Sequence, residues 1–304
     1  MIADSEAAAL AERALHARVG RVTAQSLTQS GNGIFRIDLA DGRCVVLRES
    51  ERRLSFEWTR HNLSILRSLG LPVQTVLASG DTSAGGAFLI LNWLAGRDLV
   101  FEIATMTLAQ MTAVATAVTD CQRRVAALPR GRHFGWAPIG GDGGIESWSD
   151  IFGPAALASE PAEAPLLGRL RQRLRSLRLR LEPYFRTRVP VCFLDDLTTK
   201  NVIVENGALT GIIDIDFVCY GDPLMSVGTT LAELDADVGH AGRIYGDELL
   251  RCWAPDRDGV RAAWFYSALW SVGFLARAAA NGDVGRVAAL VPVASAAVER
   301  AEAE

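Results

Sequence analysis

In the first third of the chain the apolar positions come in short bursts with turn residues between them. The opening stretch through about Arg18 is rich in Ala, Leu, Glu and Arg and favours helix. Three short apolar or β-branched segments follow, Val22 to Leu27, Ile34 to Leu39 and Cys44 to Leu47. Gly31-Asn32-Gly33 and Asp41-Gly42 separate them, a spacing that predicts an antiparallel meander with tight turns. From about Ser55 to Leu69 the period lengthens. Phe56, Leu63, Ile65 and Leu66 form an apolar stripe, and Gly70 and Pro72 supply the stop signal of a helix. Val73 to Ala78 and Ala87 to Leu91 predict two further strands. Residues before about 95 therefore predict five strands and one internal helix.

Beyond Leu99 the pattern is mostly helical. Thr107 to Leu128 predicts a long alanine-rich helix with few charges, which implies burial. A glycine-rich loop covers Gly135 to Gly144. Leu166 to Phe185 predicts an amphipathic helix whose arginine-laden face reads as solvated rather than as an anion site. Between Val191 and Gly228 the apolar segments Val202 to Val204 and Leu209 to Ile215 flank Asn206-Gly207, a strong hairpin signal. The remainder is helical, with Trp253, Trp264 and Trp270 expected in the core.

Composition narrows the function classes. A chain of 304 residues suits two lobes better than one small core. The net charge of −4 disfavours nucleic acid as a partner. Residues 1–98 hold 11 Arg and 10 acids, and the rest 20 basic and 25 acidic residues, a mild acidic bias compatible with a cationic substrate. No apolar run has the length of a membrane helix, and the opening residues carry no secretory h-region, so a cytoplasmic protein is expected. Five cysteines with no C-x-x-C pair read as buried, reduced thiols rather than a zinc site. Lys200 is the single lysine; every other strong base is arginine.

The candidate chemistry lies in Cys192-Phe193-Leu194-Asp195-Asp196-Leu197-Thr198-Thr199-Lys200-Asn201, followed by the hairpin and then Gly211-Ile212-Ile213-Asp214-Ile215-Asp216. Phosphate-bound Mg²⁺ needs hard oxygen ligands, which the Asn201 amide and the Asp214 carboxylate can supply. A hydroxyl nucleophile needs a carboxylate in reach to orient it and take its proton, the role that falls to Asp196. A loop that ends in a hairpin is a way to gather three such groups, as in the phosphoryl-transfer enzymes called kinases.

The stretch FLDDLTTKNVIVENGALTGIIDIDFVCYGDPL resembles the aminoglycoside phosphotransferase and choline kinase-like family. That pattern runs H-G-D-x-x-x-x-N, strand, turn, strand ending in I-D, then G-D-P. The resemblance implies that Asp196 is the catalytic Asp, that Asn201 and Asp214 hold Mg²⁺, and that Gly221-Asp222-Pro223 is structural. In the first lobe it is less sharp. It implies that Gly31, Asn32 and Gly33, after Ser30, cover the nucleotide, that Arg48 of Val45-Val46-Leu47-Arg48 binds the α/β-phosphates, and that Glu57 pairs with Arg48. Asn92, Trp93 and Leu94, within Leu91 to Leu99, fall on the linker that offers backbone groups to the adenine edge. Departures are Leu194 for the family's His, a scaffold of the loop backbone, Asp195 for its Gly, and Arg48 for its Lys. Asp195 could serve as the base in a shifted register. Lys200 reads as a γ-phosphate contact or as an exposed loop lysine.

The fold implied is α+β: a bilobal protein kinase-like structure with a small antiparallel-sheet lobe, residues 1–95, and a larger, mainly helical lobe, residues 96–304, the two enclosing the nucleotide near residues 92–98. The function implied is ATP- or GTP-dependent phosphorylation of a hydroxyl on a small molecule, in the manner of an aminoglycoside, a macrolide, an amino alcohol or a sugar-related metabolite. The alternative is an impaired pseudokinase that binds nucleotide or a partner. Glu233, Asp235 and Asp237 could receive a cationic acceptor or line a solvated helix face.

Overall fold

The computed structural model describes residues 2–25, 32–153, 157 and 165–304. It divides into two compact units, Met1–Ala95 with Gly211–Asp216, and Gly96–Thr210 with Phe217–Glu304.

In the first unit α1 (Asp4–Leu15) precedes the meander β1 (Val19–Ala24), β2 (Gly33–Leu39) and β3 (Cys44–Ser50). Then come α2 (Glu57–Ser68), β4 (Val76–Asp81) and β5 (Ala87–Asn92). The five strands form one antiparallel sheet in the order β1-β2-β3-β5-β4. Period-two burial in β2 turns Phe35, Ile37 and Leu39 to one face. With Val45, Leu47, Phe88 and Ile90 they close over Ala7, Leu10 and Ala11 of α1. This is the alternation that the short apolar bursts of the sequence encode. α2 is amphipathic as expected, but its buried face also carries Thr59 and Asn62 beside Leu63 and Leu66.

The second unit opens with β6 (Arg97–Asp98), α3 (Leu99–Glu102) and a 3₁₀ turn, Ile103–Thr105. α4 (Leu108–Ala126) starts at a capping box in which Thr107 and Gln110 satisfy each other's backbone amides. β7 (Gly135–Ala137) lies inside the glycine-rich stretch that was expected to be loop alone, and α5 (Trp148–Ile151) follows. The single helix expected over Leu166 to Phe185 is two, α6 (Pro165–Arg180) and α7 (Glu182–Arg186). Pro183 explains the break, since it is tolerated only in a helix's first turn.

β8 (Val191–Phe193), β9 (Val202–Glu205), β10 (Ala208–Ile212) and β11 (Val218–Gly221) complete two small sheets, β10-β9-β6 and β7-β11-β8. The β9-β10 turn is Asn206-Gly207, with φ of 53° and 78°, the paired positive values a type I′ turn demands. The boundary between the units falls within β10.

α8 (Leu224–Asp237), α9 (His240–Trp253), α10 (Arg257–Ala280) and α11 (Val284–Ala303) finish the chain, with α10 packed on α8, α11 and α6. The core of this unit is aromatic: Trp148, Phe152, Phe185, Phe193, Phe265 and Tyr266 meet at centroid distances of 5.4–6.3 Å. Trp253, Trp264 and Trp270, expected there, are only partly buried. Where α10 meets α8 it buries small residues, and Trp264 lies to the side under the Arg300 guanidinium, 4.7 Å from its centroid. All five cysteines are free thiols; Cys121, Cys192 and Cys219 are buried, whereas Cys44 and Cys252 are partly exposed. Among the described residues no helix is long and apolar enough to cross a membrane.

Candidate active site

In the second unit the loop after β8 carries the candidate base. Asp195 is partly buried and Asp196 is exposed, because the backbone turns sharply after Leu194. The Asp196 carbonyl accepts from the Thr198 amide and from Asn201 Nδ2, both at 2.8 Å, and the Asn201 amide donates to the Thr198 carbonyl at 3.1 Å. Asn201 thus closes the loop onto the backbone of Asp196. With Nδ2 committed to that carbonyl, the amide oxygen Oδ1 is the atom left to serve as a hard ligand, which fits a Mg²⁺ site. Asp195 is held by Trp136 of β7, whose Nε1 donates to Asp195 Oδ2 at 2.5 Å. The indole stays 41% exposed.

The loop is anchored from behind by a residue that the sequence reading did not single out. Gln122 of α4 is 1% exposed; its Oε1 accepts from the Leu194 amide at 3.0 Å and its Nε2 donates to the Leu194 carbonyl at 2.6 Å. A signal was present. Met111, Val114, Ala115, Val118 and Val125 mark the buried stripe of α4, and Gln122 sits on it. A polar side chain on an apolar stripe must find partners.

Lys200, read as a γ-phosphate contact or an exposed loop lysine, has acidic neighbours on α8 and keeps 51% of its side chain accessible. Its Nζ lies 2.8 Å from Asp237 and 3.8 Å from Glu233, both on α8. Burial alone would lower its pKa, but the hydrogen bond to Asp237 and the charges of both acids carry it above the ordinary value. The α8 acids are likewise engaged within the chain. Glu233 is buried and accepts from Thr199 Oγ1, Asp235 pairs with Arg243 and Arg300, and Asp237 also pairs with Arg286.

In the first unit the phosphate-binding candidate has an unexpected partner. Arg48 is 6% exposed and makes a two-point contact with Asp216: NH1 to Oδ1 at 2.8 Å, NH2 to Oδ2 at 2.6 Å. The pairing expected with Glu57 is not formed. Glu57 is exposed in the first turn of α2, and Thr59 is the residue that the helix turns inward. Thr59 Oγ1 donates to Asp216 Oδ1 at 2.7 Å, and Asn62 Nδ2 donates to the carbonyls of Asp216 and Ile215 at 3.2 and 3.4 Å. α2 therefore serves the Arg48 site through Asp216.

Asp214 lies 3.5 Å from Arg48 NH1 with 47% of its side chain accessible. Its φ of 60° places it in the left-handed region that Asp tolerates better than most residues. Although nearly half of the side chain meets solvent, desolvation by the protein packed around it, followed by the repulsion of Asp216, raises its carboxyl above the ordinary value while Arg48 pulls it down. A carboxylate held in that state gains from a cation, so Asp214 also fits as a metal ligand. Among the described residues no group of three or more His, Cys, Asp or Glu could hold a metal.

Of the turn expected to cover the nucleotide, Ser30 and Gly31 lie outside the described residues. Asn32 is buried, and Gly33 opens β2 opposite Glu49. In the linker, Asn92 and Trp93 are largely spent within the unit. The Asn92 amide donates to the Thr75 carbonyl, its carbonyl accepts from Gln74, and the Trp93 amide donates to the Cys44 carbonyl. Leu94 takes part in none of these bonds.

A family profile described as the phosphotransferase enzyme family matches residues 29–263. No curated protein matches. The fold is similar to that of a thermostable aminoglycoside phosphotransferase APH(4)-Ia mutant solved with ADP and hygromycin B. The TM-score is 0.73 at 18% identity over 98% of this chain and 99% of the other. It is also similar to the GDP complex of aminoglycoside 2'-phosphotransferase-IIIa, with a TM-score of 0.72 at 13% identity and coverages of 98% and 99%. A fructosamine-3-kinase-like protein from Thermobifida fusca YX-ER1 aligns with a TM-score of 0.58 at 16% identity, covering 96% and 98%. At these identities the likenesses establish the protein kinase-like fold.

Proposed function

We propose, from the premise that this chain belongs to the phosphotransferase enzyme family and is a phosphotransferase with an alcohol group as acceptor, that it moves the γ-phosphoryl of ATP or GTP onto a hydroxyl of an aminoglycoside-like small molecule in the cytoplasm. The observation that carries this reading is the loop in which Asn201 ties itself to the Asp196 backbone and leaves the Asp196 carboxylate exposed. Asp196 orients the acceptor hydroxyl and takes its proton as the oxygen attacks in line. Asn201 Oδ1 and the Asp214 carboxylate hold Mg²⁺, which when bound neutralises the charge that develops on the phosphate oxygens. Arg48 reaches the α/β-phosphates with the hydrogens its fork does not give to Asp216, and Leu94 supplies backbone groups to the base. The aminoglycoside class is supported by hygromycin B in one similar structure and gentamicin in another.

The test is phosphotransfer from ATP and from GTP, with Mg²⁺, to a panel of aminoglycosides, macrolides, amino alcohols and ketosamines, read as phosphorylated product by mass spectrometry. Product with an aminoglycoside is expected. Product with an amino alcohol or ketosamine alone would move the acceptor class, and no product on any member would overturn the reading.

Arg48→Lys separates charge from geometry. Lysine keeps the charge but cannot make the two-point contact to a carboxylate or phosphate. Nucleotide affinity is expected to fall roughly 10-fold, the equivalent of one charge-assisted hydrogen bond, with turnover lowered as well. Calorimetric titration of nucleotide checks this, and unchanged affinity would restrict Arg48 to holding Asp216.

A further inference from the structure

The resemblance places a His at the position of Leu194, and here that side chain is apolar and buried. The position two residues ahead of Asp196 therefore carries no polar side chain that could hold the backbone. The anchor comes from another element. The Gln122 amide receives the Leu194 N–H and donates to the Leu194 carbonyl, pairing with both backbone groups of that residue as a neighbouring strand would. Leu194 follows directly on β8, whose last pair with β11 is Phe193 opposite Cys219. The amide thus extends the backbone pairing of β8 by one residue, to within two residues of Asp196. The Leu194 N–H and carbonyl set which end of the amide accepts and which donates, and Nε2 also donates to Ser226 Oγ of α8 at 3.1 Å. Ser226 in turn donates to the Pro223 carbonyl, just after Asp222.

We propose that Gln122 is a positioning residue for phosphoryl transfer. By holding the Leu194 backbone it sets the direction from which Asp196 meets the acceptor hydroxyl. The proposal rests on the role of Asp196 given above. It assigns to a helix-borne amide the loop-holding role that the resemblance gives to a residue of the loop itself. The requirement is stringent because near-attack geometry tolerates little error: a displacement of about 1 Å can cost on the order of 10²-fold in rate.

The experiment compares Gln122→Leu, Gln122→Glu and Ser226→Ala in the full chain. It measures kcat, nucleotide Kd and hydrogen exchange across residues 191–201. Gln122→Leu removes all three bonds. Gln122→Glu keeps the size and an acceptor for the Leu194 amide, and in its ionised form, favoured at the alkaline end of the assay range, it cannot donate to the Leu194 carbonyl. Both are expected to lower kcat, the leucine by about 10²-fold, with nucleotide Kd within about twofold and faster exchange at Leu194 and the residues after it. Ser226→Ala, which leaves both backbone bonds, is expected to keep kcat near that of the unsubstituted protein. Faster exchange with unchanged kcat would overturn the proposal, as would unchanged exchange or an equal loss of kcat in Ser226→Ala. If Gln122→Leu fails to fold, Gln122→Glu decides by the same readouts. If the unsubstituted protein transfers no phosphoryl group, the reading of the reaction has failed and the positioning role with it; exchange then reports separately whether Gln122 anchors the loop.

Discussion

Asp196→Asn is expected to lower kcat by about 10²–10⁴-fold, the usual cost of removing a general base, while nucleotide still binds. The substitution keeps the shape of the side chain and leaves untouched the Asp196 carbonyl, on which both Thr198 and Asn201 converge. The loop should therefore stay closed, and the loss should fall on turnover rather than on nucleotide affinity. Steady-state phosphotransfer alongside nucleotide titration checks the split. Asp195→Ala is the companion measurement, because the two carboxylates are adjacent. Asp195 is bound to Trp136 Nε1, so its removal should disturb the surroundings of the base without removing the base. A near-normal rate in Asp196→Asn together with a dead Asp195→Ala would put the base one residue earlier.

Asp222→Ala should produce the largest loss of stability. The Asp222 carboxylate is buried. Oδ2 accepts from Tyr184 Oη at 2.7 Å and from Tyr266 Oη at 2.9 Å, and Oδ1 accepts from the Leu224 amide at 3.1 Å. Tyr266 Oη is itself the acceptor for Trp148 Nε1 at 2.7 Å, so the carboxylate terminates a chain that begins in the aromatic core. Alanine orphans three donors at about 1–3 kcal/mol each, a destabilisation of roughly 3 kcal/mol or more, which thermal or urea unfolding would register. A change under about 1 kcal/mol would mean that water replaces the carboxylate. Asp222→Asn adds a pH test. Burial raises the Asp222 carboxyl above its ordinary value, against the opposing bonds from Tyr184, Leu224 and Tyr266. A carboxyl whose folded pKa is raised contributes most below its unfolded value and loses that contribution as pH climbs through the folded one. Asparagine does not ionise. The stability difference between Asp222→Asn and the unsubstituted protein should therefore move in favour of asparagine from about pH 4 to pH 7. Movement the other way would contradict a raised carboxyl.

What could be read from the sequence was what local chemistry writes into it. The alternation in β2 and the Asn206-Gly207 turn each act over a few residues, and each is where the pattern puts it. The spacing from Asp196 to Asn201 is local as well, since one bond closes it. The partner of Arg48 was not local. The family resemblance points to Glu57, yet the phase of α2 turns Thr59 inward, and the carboxylate arrives from Asp216, 168 residues away in sequence. Gln122 was hidden for a similar reason: its helix reads as apolar, and the groups it satisfies belong to a strand end far along the chain. The tryptophans of the C-terminal helices show a third limit. Bulk marks a residue as apolar without saying which side of a helix meets its neighbour: Ala263, Tyr266 and Ser267 of α10 approach Gly228 of α8, while Trp264 lies under Arg300.

Lys200 gives the chain an unusual chemical simplicity, being its only side-chain amine. Any acylating or reductively alkylating reagent directed at lysine side chains has one target in 304 residues, four positions after Asp196 and one before Asn201. That amine is partly shielded by its bonds to Asp237 and Glu233, which hold it in the unreactive ammonium form to higher pH than a free lysine. The yield of a single conjugate would then report how often the ammonium leaves α8. A fluorophore or isotopic methyl placed there would watch the catalytic loop without any engineered cysteine.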